Sequence, residues 1–149
     1  MDSLTEKKIK KPIADLFAQH PFRDAIIVSA QVPSRERVLP GTSFKADFAF
    51  ELSSGGWLFI EDDDAQRCLG NLVKYWFWME QQKISVPASL VHVIGPGDPG
   101  QRLMLKFLQE KAHVTLPNFR SEVVFTESWD TEAWLEQVRV ALRRLLNFA

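Results

Sequence analysis

The stretch that decides the fold runs from Phe44 to Asp64 and reads FKADFAFELSSGGWLFIEDDD. From Phe44 to Leu52 every second residue is apolar, which is typical of a strand with one buried face. Gly55 and Gly56 form a turn, and the run from Trp57 to Glu61 is almost continuously apolar. Two such runs joined by a short turn predict an antiparallel hairpin.

Outward from this hairpin, hydrophobic periodicity predicts alternating helices and strands. The predicted helices cover residues 3–19, with a kink or a start near Lys11, then 65–82 and 101–112, and a last helix follows Asp130. Further strands are predicted over residues 25–32, 89–94 and 122–126. The helix over 101–112 is expected to pack through Leu103, Phe107 and Leu108. The order α-β-β-β-α-β-α-β-α requires an α/β fold with a mixed sheet between helices.

The composition predicts a single globular domain over residues 1–149. Apolar residues make up 46% of the chain, charged residues make up 25%, and the net charge is −1. Such a chain has no global field that attracts nucleic acid, so a polyanion must meet a local cluster of cations. Cys68 is the single cysteine, which excludes a disulfide scaffold and favours a reducing compartment. Met1–Lys11 lacks a signal-peptide pattern and no apolar run is long enough to cross a membrane, so we expect a cytoplasmic protein.

Acidic residues at the end of the hairpin are the sharpest chemical feature. Asp47 lies on the polar face of the first strand, and Glu61 ends the second. Opposed side chains on paired strands lie about 4.5–5.5 Å apart at Cβ, so these two carboxylates can share a divalent cation. Asp63 joins the same face if the strand continues that far. The alternative is that Glu61 to Asp64 form only a solvated turn that caps the following helix.

The element order and the acidic positions together resemble the PD-(D/E)XK, or restriction endonuclease-like, nuclease superfamily. That family has an αβββαβ core, with an Asp on the second strand and a (D/E)-x-K tripeptide on the third. Asp47 matches the first position, and Glu61-Asp62-Asp63 matches the location of the tripeptide. The resemblance covers Ser3 to Ile94 and leaves a C-terminal αβα extension. It implies a Mg²⁺-dependent DNA endonuclease in which Asp47, Glu61 and Asp63 form the metal site.

The chain departs from the family pattern at Asp63, which stands where the family has its lysine. An aspartate cannot stabilise negative charge on the attacked phosphate, so the cation must come from elsewhere. Lys74 is the first candidate, because Gln66, Gly70 and Lys74 share one face of the following helix. Gln66 is a candidate to hold a water or a phosphate, and Lys45 is the second candidate for the cation.

Contacts to DNA and to a second copy of the chain complete the sequence-based hypothesis. The candidate phosphate-binding residues are Lys8, Lys11, Arg35, Arg37 and Lys45. The aromatic run from Tyr75 to Met79 is too continuous for one buried helix face, so Trp78 or Met79 is expected at the surface of a homodimer. Two alternatives stay open: a catalytically inactive module of the same fold that binds DNA or protein, and an unrelated α/β interaction domain.

Overall fold

The computed structural model describes residues 9–27, 37–129 and 132–147. The described helices are α1 (Lys11–Phe17), α2 (Phe22–Ala25), α3 (Cys68–Gln81), α4 (Pro99–Thr115) and α5 (Ala133–Leu146). The described strands are β1 (Arg37–Val38), β2 (Lys45–Ala46), β3 (Phe48–Glu51), β4 (Trp57–Asp63), β5 (Ala88–Ile94) and β6 (Phe119–Phe125). No helix in these ranges is long and apolar enough to cross a membrane.

A mixed sheet of four strands forms the centre of the fold, in the order β3-β4-β5-β6. The predicted hairpin is confirmed, because β3 and β4 are antiparallel, whereas β4, β5 and β6 run parallel. The crossovers between the parallel strands are α3 and α4, as a βαβ connection requires. The α/β class with a mixed sheet flanked by helices is therefore confirmed.

Each face of this sheet has its own hydrophobic core. Leu58 and Ile60 of β4 point to the side that α1 and α5 cover, together with Phe48 and Phe50 of β3. Phe59 points to the opposite side and packs beneath α3 and α4. Because successive side chains of a strand alternate between faces, Glu61 and Asp63 follow Phe59 toward α3. The alternation along β4 thus decides which helix can contact which carboxylate.

The first predicted strand of the hairpin is not continuous. It bends at Asp47, which separates β2 from β3. Ala46 packs in the core beneath α3, whereas Phe48 packs on the α5 side with Phe50. The bend places Ala49 rather than Phe48 on the same face as Ala46. The strict alternation predicted from Phe44 to Leu52 is therefore wrong at this point.

Two helices bury faces other than the predicted ones. In α4 the buried residues are Leu105 and Ala112, and of the predicted packing residues Leu108 is partly buried against this core, whereas Leu103 and Phe107 are exposed. In α3, Trp78 and Met79 are buried, contrary to their expected place at a subunit surface, and Phe77 is exposed instead. Helix α3 also begins at Cys68 rather than near residue 65, since residues 65–67 form a turn. Cys68 itself is buried.

The predicted strand over 25–32 falls largely outside the described residues. Ala25 ends α2, and Ile26 forms an antiparallel bridge with Leu52. The Ile27 amide donates to the Glu51 carbonyl at 2.9 Å, which extends this contact along the edge of β3. Residues 28–32 and Asp130 lie outside the described ranges. At the start of α5, the N-cap residue Glu132 makes no capping side-chain hydrogen bond.

Candidate functional site

A cleft opens where β3 and β4 separate. β3 pairs with β4 from Glu51 opposite Trp57 to Phe48 opposite Ile60, and the bend at Asp47 then leads the chain away. β4 continues to Asp63 and is paired there with β5. The cleft has a volume of about 760 Å³. Its polar lining includes Lys45, Asp47, Glu61, Asp62, Asp63, Gln66 and Lys74.

Asp47 is one of the acidic residues that line this cleft. The hairpin register carries Asp47 to the position opposite Glu61, one step beyond the last paired residues. Its Oδ2 atom accepts a hydrogen bond from the backbone amide of Asp62 at 3.0 Å. Asp47 lines the cleft together with Glu61 and Asp62, and its charge raises the pKa of both of their carboxyl groups. The structure thus brings Asp47 and Glu61 together at one end of the sheet.

The crowded carboxyl groups have strongly raised pKa values. Burial is the largest cause for Glu61, the Asp47 charge adds to it, and Lys74 opposes both; the resulting pKa is about 8. Burial followed by the charge of Asp47 raises the pKa of Asp62 to about 9, and Lys10 acts in the opposite direction. Like charges in a poorly solvated site favour either a bound proton or a bound cation. This cleft is built to hold one of the two.

Lys74 reaches the carboxylates from α3. Its Nζ atom lies 2.6 Å from Glu61 Oε1, and it also donates to the Lys45 carbonyl at 2.5 Å. This contact requires α3 to pack back across the open end of the hairpin rather than point away from it. The helix does so because its buried face, which includes Leu72 and Trp78, packs on Phe59 of β4.

Tyr75 is a site residue that the sequence analysis missed. Its hydroxyl donates to Glu61 Oε1 at 2.5 Å, so the same carboxylate oxygen receives both Lys74 and Tyr75. Tyr75 is fully buried, and burial, followed by the charge of Glu61, raises its pKa well above 10. The sequence holds one signal for this role, because Tyr75 is the single tyrosine of the chain and lies in an aromatic run. A tyrosine hydroxyl that is buried needs a hydrogen-bond partner, and its burial became evident only in the structure.

Asp63 has partners other than Asp47. Its Oδ2 atom accepts from the side-chain amide of Asn71 and lies 3.0 Å from His92 Nε2. Asp63 and His92 are both buried, and His92 Nδ1 has no hydrogen-bond partner. The carboxyl that approaches Asp47 together with Glu61 is that of Asp62.

The acidic turn does not cap α3 as considered from the sequence, because the N-cap residue Arg67 receives no capping side-chain hydrogen bond, and Asp64 closes the preceding turn instead. Asp64 Oδ1 accepts from the backbone amides of Gln66 and Arg67 at 3.0 and 2.9 Å. This turn sets the start of α3 directly after β4. Gln66 is exposed at the mouth of the cleft.

The predicted DNA-binding residues are scattered. Lys45 lines the cleft, whereas Lys11 is exposed on α1 and pairs with Asp15 at 2.9 Å. Arg37 lies in β1, and its side chain is not described. Lys8 and Arg35 lie outside the described residues. Lys45 is thus the member of this set that the structure places beside the carboxylates.

The carboxylates of the cleft are candidate ligands for a divalent cation whose remaining ligands would be water and substrate. Within residues 9–27, 37–129 and 132–147, no group of three or more His, Cys, Asp or Glu side chains has the arrangement of a metal site. Mg²⁺ is usually bound through one or two carboxylates, with water and substrate phosphate supplying the rest. Asp47 and Glu61 provide two carboxylates, and the buried Oδ1 atom of Asp62 has no hydrogen-bond partner. The all-oxygen donor set therefore suits Mg²⁺.

Comparison with protein-family models, with curated proteins and with solved structures finds no match to this chain. The function must therefore be inferred from the geometry of the cleft and from the fold that builds it.

Proposed function

We propose that this protein is a Mg²⁺-dependent endonuclease that hydrolyses phosphodiester bonds in DNA. The observation that carries the proposal is the contact of Lys74 with Glu61 beside Asp47, in one open cleft. The fold supports it as well, because a hairpin, a crossover helix and a parallel strand follow one another as in the restriction endonuclease-like core. We include in the proposal that this part of the fold is a restriction endonuclease-like core.

Asp47 and Glu61 are the proposed metal-holding residues, and Asp63 is retained as a candidate third. When bound, the ion polarises the phosphodiester and lowers the pKa of a coordinated water. The raised pKa values of Glu61 and Asp62 mean that the apo cleft holds protons near neutral pH. Binding of a cation releases these protons, so affinity for Mg²⁺ rises with pH.

Lys74 is the proposed substitute for the missing family lysine. Its ammonium group lies at the carboxylate pair and is positioned to meet negative charge that develops on the phosphate. Tyr75 holds Glu61 in place from the buried side, which makes it a positioning residue. Gln66, at the mouth, is proposed to bind a water or a phosphate oxygen, and Lys45 to contact the DNA backbone.

A second candidate function is a binding module with the same fold and no catalysis. It is favoured by the two donors, Lys74 and Tyr75, that already occupy one oxygen of Glu61. In this state Oε1 of Glu61 is satisfied without a metal, and Asp63 replaces the family lysine. Such a module would hold DNA or protein by the same cleft.

Nicking of supercoiled plasmid in Mg²⁺, compared with EDTA, distinguishes the two functions. We expect the wild type to nick in Mg²⁺ alone, and Asp47→Asn and Lys74→Met to lose about 100-fold or more of that rate. Lys106→Met removes an exposed lysine of α4 and serves as the matched control. Plasmid binding without nicking by the wild type favours the binding module.

Cutting both strands of a duplex requires two active sites, so a homodimer is part of the proposal. Light scattering at micromolar concentration tests it, and a monomeric mass counts against it.

A further inference from the structure

An apolar surface borders the catalytic cleft and has no role in the mechanism above. We name it the aromatic ledge and define it by Phe44, Val73 and Phe77. The exposed fraction is 40% for Phe44 and 48% for Phe77. The two rings meet edge to face, with their centroids 5.8 Å apart. They form one wall of a shallow groove of about 370 Å³.

This ledge is continuous with the cleft. Gly70 and Lys74 line both the cleft and the groove, so these two residues form the boundary between them. A nucleic acid strand has the same alternation of charge and apolar surface, since each phosphate is followed by a planar base. In proteins that bind single strands, bases stack on aromatic side chains beside the groove that follows the backbone, and here Lys74 is the cation next to the ledge.

Gly70 is the second observation that points the same way. It lies in the first turn of α3, where glycine is less favourable than alanine. A Cβ atom built at Gly70 meets no other atom within 4 Å, so packing does not require a glycine there. Because Gly70 has no side chain, no atoms project from this position between the cleft and the ledge.

We propose that the aromatic ledge stacks unpaired bases of the nucleic acid strand whose phosphate enters the cleft. This inference rests on the proposed nuclease function and narrows its substrate class to single-stranded nucleic acid, or to a duplex with unpaired nucleotides beside the cut. Phe77 and Phe44 provide the stacking surface, and Lys74 meets the phosphate next to the stacked base.

Fluorescence anisotropy in EDTA tests the ledge without cleavage. The probes are a labelled oligothymidine and a labelled duplex of the same length, with the full chain as the binder. We expect Phe77→Ala to weaken oligothymidine binding by roughly tenfold and to leave duplex binding unchanged. Phe107→Ala, which removes an exposed phenylalanine from α4, is the matched control and should change neither affinity.

Gly70→Leu tests the continuity of the two surfaces without removing an aromatic ring. We expect it to melt no lower than the wild type, because leucine favours the helix and has room there. It should nevertheless bind oligothymidine several-fold more weakly, since its side chain fills the passage. Wild-type affinity in this variant would show that no strand crosses Gly70 and would overturn the proposal.

The outcomes separate this inference from the nuclease proposal. Equal oligothymidine affinities for Phe77→Ala and Phe107→Ala overturn the ledge, while plasmid nicking by the wild type still upholds the nuclease. Phe77-dependent oligothymidine binding by a protein that never nicks in Mg²⁺ upholds the ledge and overturns the nuclease. If Phe77→Ala instead converts a dimer to a monomer in light scattering, the ledge is a contact between subunits and the proposal is wrong.

Discussion

Replacing Asp47 by asparagine should stabilise the metal-free protein at alkaline pH. The substitution removes a negative charge that raises the pKa of both Glu61 and Asp62. It keeps an oxygen that can accept from the backbone amide of Asp62, the hydrogen bond that Asp47 makes at 3.0 Å. The expected gain is therefore electrostatic and must depend on pH.

The magnitude follows from the carboxyl of Glu61. Its pKa is about 8 in the folded protein, against 4.5 ordinarily, so the unfolded chain loses this proton first. The stability from the retained proton is complete below pH 4.5 and is lost as pH rises through 8. At about 1.4 kcal/mol per unit, the 3.5 units amount to about 5 kcal/mol across that window. Asp47 is the second cause after burial, so we expect Asp47→Asn to recover about 1–2 kcal/mol of this at pH 8.

Urea denaturation followed by tryptophan fluorescence, in EDTA at pH values from 4.5 to 8.5, measures this gain. Glu110→Gln removes one exposed acidic charge from α4 and controls for net charge. The gain of Asp47→Asn should shrink toward zero at pH 4.5, because Glu61 is then protonated in the folded protein and no longer repels Asp47. A variant less stable than the wild type at every pH, or a gain equal at both ends of the range, would refute the repulsion among these carboxyls.

Further predictions concern the groups around the carboxylates. Mg²⁺ should raise the melting temperature of the wild type more at pH 8.5 than at pH 6, because the cation must displace protons from the carboxyls, and it should not stabilise Asp47→Asn. A rise that is independent of pH contradicts this proton release. Tyr75→Phe should cost about 1.5–3 kcal/mol of unfolding free energy in urea, because Glu61 loses a buried donor, and an unchanged midpoint argues against that bond. His92→Leu should cost about 3 kcal/mol in the same assay, since Asp63 stays buried, and a neutral result would show that Asn71 suffices. In the nicking assay Lys74→Ala should abolish cleavage while Lys45→Ala and Gln66→Ala reduce it less; the reverse order assigns the cation elsewhere, and full activity in all three sinks the mechanism.

The facing of Asp47 and Glu61 was predictable because it depends on local rules. The glycine turn sets the hairpin, and the hairpin register carries the two acidic residues to opposite positions. The same rules explain why the class of the fold follows from the order of its elements. These features need only strand periodicity and turn chemistry, both of which are written in consecutive residues.

The environments of the next two acidic residues were not predictable in the same way. Asp63 meets His92 because β5 lies parallel beside β4, and that register is a long-range property. Asp62 approaches Asp47 because the chain bends at position 47, where period-two reasoning assumes a straight strand. Neither the bend nor the neighbouring strand leaves a signal in the acidic run itself.

The buried face of α4 shows a different limit. Apolar residues occur on more than one side of this helix, so the pattern with Leu103 and Phe107 competes with the one through Leu105 and Ala112. Periodicity alone cannot decide between two such stripes. The sheet decides, because Leu105 and Ala112 face the core that β4 and β5 share with α3.

The hydrogen bond from the Asp62 amide to Asp47 replaces a backbone hydrogen bond between neighbouring strands. With β2 bent away, the carboxylate supplies the acceptor that a neighbouring backbone carbonyl provides elsewhere in the sheet. The Asp47 carboxylate therefore completes the backbone hydrogen bonding of the sheet and is also a proposed metal ligand. Asp47→Ala removes this hydrogen bond and the proposed metal ligand at the same time, so lost activity in that variant carries no information about catalysis. Asp47→Asn keeps the hydrogen bond and removes only the charge.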